Sequence, residues 1–148
     1  MSLQQRLSDE IKSAMLAKDA ERLGTLRLLK SALGYAQIEK KTETTSDVDF
    51  VAMVQKEVKK RRDSIDQYEK GGRPELAAKE KQEIAVLEPF LPQALSEAEL
   101  EELVRATIQE LGATSKKEMG QVIKAAQAKA AGRAEGKTIS GLVGKLLP

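Results

Sequence analysis

Apolar residues return every three or four positions along almost the whole chain, and this rhythm restricts it to helices. Leu3, Leu7, Ile11 and Met15 predict a first amphipathic helix, opened by Ser2 with Gln5 as the second half of a capping box. After a break at Lys18–Asp19, a second helix carries Leu23, Leu26, Leu29, Leu33 and Ala36 on one face, with Leu28 off the stripe and turned toward a further helix. The polar stretch 41–46 predicts a loop. Ser46 then caps a third helix, with Asp49 as its box acid, whose stripe is Val51, Val54, Val58, Ile65 and Tyr68; Gly71–Gly72 closes it. Pro74 suits the first turn of a fourth helix, where its missing N–H costs nothing, and Leu76, Ala77, Ile84 and Leu87 follow. No segment alternates with period two over a useful length, so no strand is predicted.

Pro89 and Pro92 stand three residues apart and will not sit inside a regular helix. The expected organisation is therefore all-α, with an N-terminal four-helix bundle-like part over residues 1–92 and a smaller C-terminal three-helix module over residues 93–148. Phe90, Leu91 and Leu95 make the junction a packed connector. In the second part, Ser96 with Glu99 forms a capping box ahead of Leu100, Leu103, Val104, Ile108 and Leu111, and Gly112 stops that helix. Ser115 with Glu118 opens the next, with Met119, Val122, Ile123 and Ala126, ending near Gly132. Thr138 is expected to cap the last, which carries Ile139, Leu142, Val143 and Leu146.

The chain's 148 residues, 41% hydrophobic and 32% charged, suffice for one ordinary domain or two small ones. There is no His, no Cys and no Trp. Disulfides, thiolate nucleophiles, zinc sites and His-dependent triads are thereby excluded for the chain alone. Neither a cofactor nor a metal is expected, and carboxylates, lysines, hydroxyls and backbone dipoles remain for any chemistry. No apolar stretch follows the first charges, and none approaches the roughly 20 residues that span a bilayer. The expectation is a cytoplasmic protein with no membrane partner.

With a net charge of only +2, any basic function must come from local clustering. The sharpest cluster is Lys56-Glu57-Val58-Lys59-Lys60-Arg61-Arg62-Asp63-Ser64. Its Lys59, Lys60 and Arg62 fit contact with RNA phosphates. They equally fit a solvated helix face with internal pairs such as Arg62 to Asp66. Arg27 and Lys30 could extend that basic surface or neutralise acids such as Glu57 or Asp63. A clearer bias begins at Ser115, where seven basic residues meet two acids for a local net of +5. Such an asymmetry favours an anionic partner, with Lys116, Lys117, Lys124, Arg133 and Lys137 as phosphate contacts. The four aromatic residues are Tyr35, Phe50, Tyr68 and Phe90, so base stacking on the C-terminal half is not expected. Gly132-Arg133-Ala134-Glu135-Gly136-Lys137-Thr138 is no nucleotide loop: three residues separate its glycines where four are needed, and no strand precedes it. It could seat one phosphate at a helix start, or be a turn requiring glycine. Glu80, Glu83 and Glu88 read as surface carboxylates among lysines.

Several segments together resemble the YqeY family, which is related to the tail domain of GatB, the B subunit of the tRNA-dependent amidotransferase. They are Glu57 to Ile65, Glu83 to Pro92, Leu95 to Leu100, Met119 to Val122 and Gly132 to Gly136. Phe90 stands where tyrosine is usual, Glu135 where aspartate is usual, and Pro89 is less typical. The resemblance implies an N-terminal bundle, a C-terminal three-helix module and a part that in GatB helps hold tRNA. Free-standing members are labelled by relation to carbon–nitrogen ligases with glutamine as amido-N-donor, whose active sites lie in other domains and subunits and match nothing here. The expected function is that of an accessory tRNA-binding or tRNA-enzyme-associated protein. The alternative is a module that docks on an amidotransferase, a synthetase or a ribosomal factor through apolar residues near Phe90 and Leu91. A stand-alone enzyme is disfavoured by the missing His and Cys.

Overall fold

The computed structural model describes residues 2–148, and they form seven α-helices and no strand. These are α1 (Leu3–Leu16), α2 (Ala20–Lys40), α3 (Asp47–Lys70), α4 (Pro74–Leu87), α5 (Glu97–Leu111), α6 (Met119–Ala130) and α7 (Gly136–Leu146). Short 3-10 turns at Glu88–Phe90 and Lys116–Glu118 follow α4 and precede α6. Contacts divide the chain into two compact units, the first ending at Leu91 and the second starting at Pro92.

In the first unit each helix start has a local chemical cause. Ser2 Oγ accepts from the Gln5 N–H at 3.1 Å, an Asp19 oxygen from the Arg22 N–H at 3.2 Å, and Ser46 Oγ from the Asp49 N–H at 3.2 Å. The capping box at Ser2 stays half-made, because the Gln5 amide donates forward to Asp9 at 3.0 Å. Pro74 opens α4 at its first position. The loop between α2 and α3 is tied down: the Thr45 N–H donates to Gln4 Oε1 and Gln37 Nε2 to Thr45 Oγ1, both at 3.0 Å.

The core of this unit gathers Leu7, Leu26, Leu29, Val54 and Leu87 around Phe50 and Phe90. Phe90 is 2% exposed, its ring centroid lies 5.7 Å from that of Phe50, and the Arg6 guanidinium sits 4.9 Å above it. Its burial removes the exposed apolar connector that a docking role would use. The 3-10 turn does this, since Pro89 ends the regular helix and folds the next residue back on the core. Leu28, expected to face a further helix, is 54% exposed, and no helix of this unit covers it.

The second unit packs α5, α6 and α7 around Val104, Val122, Ala126, Ile139 and Val143, all fully buried. Ser96 and Glu99 complete a reciprocal capping box on α5. Gly112 closes α5 with φ +63°, and Ala131 and Gly132 turn the chain after α6 with φ +47° and +85°. The last helix starts at Gly136, two residues before the expected cap at Thr138. A Cβ at Gly136 would stand 3.0 Å from Nε2 of Gln127 of α6, the far end of an exposed, flexible side chain.

Candidate nucleic-acid interface

The basic run of α3 is largely neutralised within its own unit. Arg61 is only 12% exposed; its Nη1 lies 3.2 Å from the Glu57 carboxylate and its Nε 3.5 Å from Glu83 of α4. Nη1 also donates to the Glu57 carbonyl at 3.1 Å. This clamp joins the two helices that pack most extensively in the unit, and half-burial of Glu57 and Glu83 strengthens it. Lys60 leans on the same Glu57 at 3.6 Å, and Arg62 meets Glu88 at 3.5 Å. Lys59 is exposed and carries no ion pair among the described residues.

The acids of α4 thus differ from the surface reading. Of the three carboxylates read as surface, Glu80 and Glu83 of α4 are half-buried, and Glu88 in the turn after it is exposed. Burial, followed by the charge of Glu83, pushes the Glu80 carboxyl above its ordinary 4.5. Arg61 is the residue whose role the basic run conceals. Its signal in the sequence is the spacing of Glu57 and Arg61, an i,i+4 pair on the side of α3 next to the buried Val54–Val58 stripe.

In the second unit the basic residues divide differently. Lys129 pairs with Glu110 across α6 and α5. Arg133 holds a turn in place. Its Nε donates to the Gln93 carbonyl at 2.9 Å, while its own carbonyl accepts from the Leu95 N–H at 2.8 Å. Lys116, Lys117, Lys124 and Lys137 are exposed and have no ion pair among the described residues. Lys116 and Lys117 lie in the 3-10 turn before α6, Lys124 halfway along α6, and Lys137 in the first turn of α7. Lysines ahead of or inside a helix's first turn oppose the macrodipole, so this placement does not serve stability. Neither α6 nor α7 carries an acid in its first turn. The turn at Thr114–Ser115 is held by Glu118, whose carboxylate accepts from both backbone N–H groups at 2.7 and 3.3 Å.

Two open depressions lie outside this surface. One sits beside Arg105, Ile108, Thr114 and Leu146, the other beside Gln37, Ile38, Lys41 and Glu43. Neither gathers converging acids and bases. Among the described residues no group of three or more Asp or Glu could hold a metal ion, and no helix is long and apolar enough to cross a membrane.

Residues 4–147 match the family described as Yqey-like protein, nearly the full chain. An uncharacterized protein of Schizosaccharomyces pombe is 33% identical over 95 residues, which cover 64% of this chain and 76% of that protein. A protein of Vanderwaltozyma polyspora named altered inheritance of mitochondria protein 41, mitochondrial, is 33% identical over 85 residues, 57% of this chain and 46% of its own. Its namesake in Saccharomyces cerevisiae strain YJM789 is 28% identical over 95 residues, 64% of this chain and 51% of its own. The matched segment spans about half the length of these mitochondrial relatives.

Proposed function

This chain belongs to the YqeY family, and from that premise we propose that it is an accessory protein whose second unit binds the phosphate backbone of tRNA. The observation that carries the reading is the set of exposed lysines 116, 117, 124 and 137 without an ion pair among the described residues, whereas in the first unit Lys60, Arg61 and Arg62 of the basic run pair with carboxylates and only Lys56 and Lys59 do not. Unpaired lysines keep their full charge for phosphates and release counterions when they bind them. With no aromatic residue beyond Phe90, the second unit offers no stacking platform, which favours a structured RNA read by shape and backbone. The family's relation to the GatB tail supports tRNA as that RNA and an amidotransferase or synthetase as the enzyme it accompanies. Arg133 contributes through the turn it holds, and Lys59, Lys60 and Arg62 are secondary contacts. The cytoplasmic setting expected from the sequence is kept as part of this proposal, although two of the relatives named above are labelled mitochondrial.

Binding of tRNA measured against salt tests it. The wild type should show a log–log slope of about −0.7 to −0.9 for each phosphate neutralised. The Lys116/Lys124/Lys137→Ala variant should lose about 2 to 3 units of that slope. Absence of binding near physiological salt, or an unchanged slope, rejects the proposal.

A second reading has its own observation. Leu28, Tyr35 and Ile38 lie on one side of α2 and are 54%, 75% and 76% exposed. A helix face of this kind suits a protein partner such as an amidotransferase, a synthetase or a ribosomal factor. A purified partner that stays bound after nuclease treatment and is released by Tyr35→Glu would favour that reading.

A further inference from the structure

We propose that the outward face of α6 docks along the minor groove of a duplex RNA, an inference that rests on the RNA-binding reading above. Successive residues on a helix turn by about 100°, so Gly120, Gln121, Lys124 and Ala128 share one side of α6 centred on Lys124, with Lys117 in the 3-10 turn just before the helix and Ala131 at its C-terminal cap. Every one of them is exposed, while Val122, Ala126 and Ala130 on the other side are buried. No acid occurs between Met119 and Ala134. The opposite polarity lies on α5, where Glu97, Glu99, Glu101, Glu102 and Glu110 accompany the single base Arg105. The α6 lysine directed at α5, Lys129, is paired with Glu110. On α6 the charge complementarity for a polyanion therefore falls on this face.

The residue types on that face narrow the anion. Single strands are gripped by stacking on aromatic rings, and the second unit has none. The minor groove of B-DNA is only about 6 Å wide, too narrow for a helix, and its major groove, which admits one, is read by side chains that reach base edges, of which this face offers only Gln121 and the lysines. The A-form minor groove is wide and shallow and displays 2′-hydroxyl groups. Gly120 and Ala128 project no bulk that would hold a groove away, and a Cβ at Gly120 would meet nothing within 4 Å. Gln121 offers both a donor and an acceptor to 2′-hydroxyls. Lys124 on the helix and Lys117 in the turn before it reach phosphates at the groove's edges.

The test uses the full chain with a labelled RNA duplex, the DNA duplex of the same sequence, the single RNA strand and tRNA, each titrated at several salt concentrations. The RNA duplex should bind at least about tenfold more tightly than either the DNA duplex or the single strand. Ala128→Glu, a helix-compatible change at an exposed position, should abolish duplex and tRNA binding with an unchanged circular dichroism melt. Gln121→Ala should narrow the RNA-over-DNA ratio without altering the salt slope, and Lys124→Ala should reduce the slope by about 1. Binding of DNA or single strands as tight as that of the RNA duplex overturns the inference, as does tRNA binding indifferent to Ala128→Glu; both outcomes leave the general RNA reading intact. No binding of any RNA removes both.

Discussion

Replacing Arg61 by Met removes a charge that the first unit uses to hold α3 against α4. The long stem and its packing are kept, so the change isolates the guanidinium. Left behind are Glu57 and Glu83, 18% and 17% exposed, with Glu80 close by. Breaking a fully buried pair costs about 3–5 kcal/mol, whereas an exposed pair is worth about 0–1 kcal/mol. At this intermediate burial, with Lys60 still beside Glu57, a loss of about 2 kcal/mol is expected. Both tyrosines, Tyr35 and Tyr68, lie in the first unit and the chain has no Trp. Tyrosine fluorescence therefore follows the unfolding of that unit alone. For a urea m-value of about 2 kcal/mol/M, its midpoint should fall by roughly 1 M. A midpoint shift below about 0.2 M, corresponding to less than about 0.5 kcal/mol, would refute the clamp. So would a variant that folds normally and loses tRNA affinity, which would assign Arg61 to the interface.

Three further outcomes follow from the packing. Phe90→Ala should destabilise the first unit by about 3–5 kcal/mol, read by the same fluorescence, because it empties the site between Phe50 and Arg6. Ala131→Gly should stabilise the second unit by about 0.5–1 kcal/mol in thermal melts, since Ala131 holds φ +47° without glycine's freedom. For Glu80 the carboxyl is raised in the folded state, so the fold binds this proton more tightly than the unfolded chain does. Its contribution therefore declines as pH rises from the ordinary value of 4.5 through the raised one. Glu80→Gln should accordingly stabilise the protein at neutral pH, and the gain should vanish in acid below both values, as measured by urea midpoints across pH.

Local chemistry is legible in the sequence and distant partnership is not. The Ser96–Glu99 box, the Ser46 cap and Pro74 at the start of α4 are decided within four residues, and they form as their spacing dictates. The burial of Phe90 depends on Phe50 and Arg6, far away in the chain, so the connector's apolar residues look available for docking until the fold is known. The start of α7 at Gly136 comes two residues ahead of Thr138, with no side-chain cap hydrogen bond at Glu135, so no local cap rule encodes it. Charge shows the same division. A run such as Lys59-Lys60-Arg61-Arg62 is visible, but Glu83 and Glu88, which engage two of its members, come from α4 and the turn after it. In the second unit, composition identifies the basic bias from Ser115 onward. Only the folded chain separates Lys129 and Arg133, which have partners, from Lys116, Lys117, Lys124, Lys137 and Lys145, which have no ion pair among the described residues.

If anion binding belongs to the second unit's unpaired lysines, while the basic run of α3 serves the fold, the two sets of cations must separate in one measurement. That measurement is tRNA affinity against salt for two alanine variants of the full chain, Lys116/Lys124/Lys137 and Lys59/Lys60/Arg62. The first should lose most of its affinity and about 2 to 3 units of salt slope, and the second less than about 1. A larger loss from the Lys59/Lys60/Arg62 variant, or no measurable tRNA binding by the wild type, would contradict it.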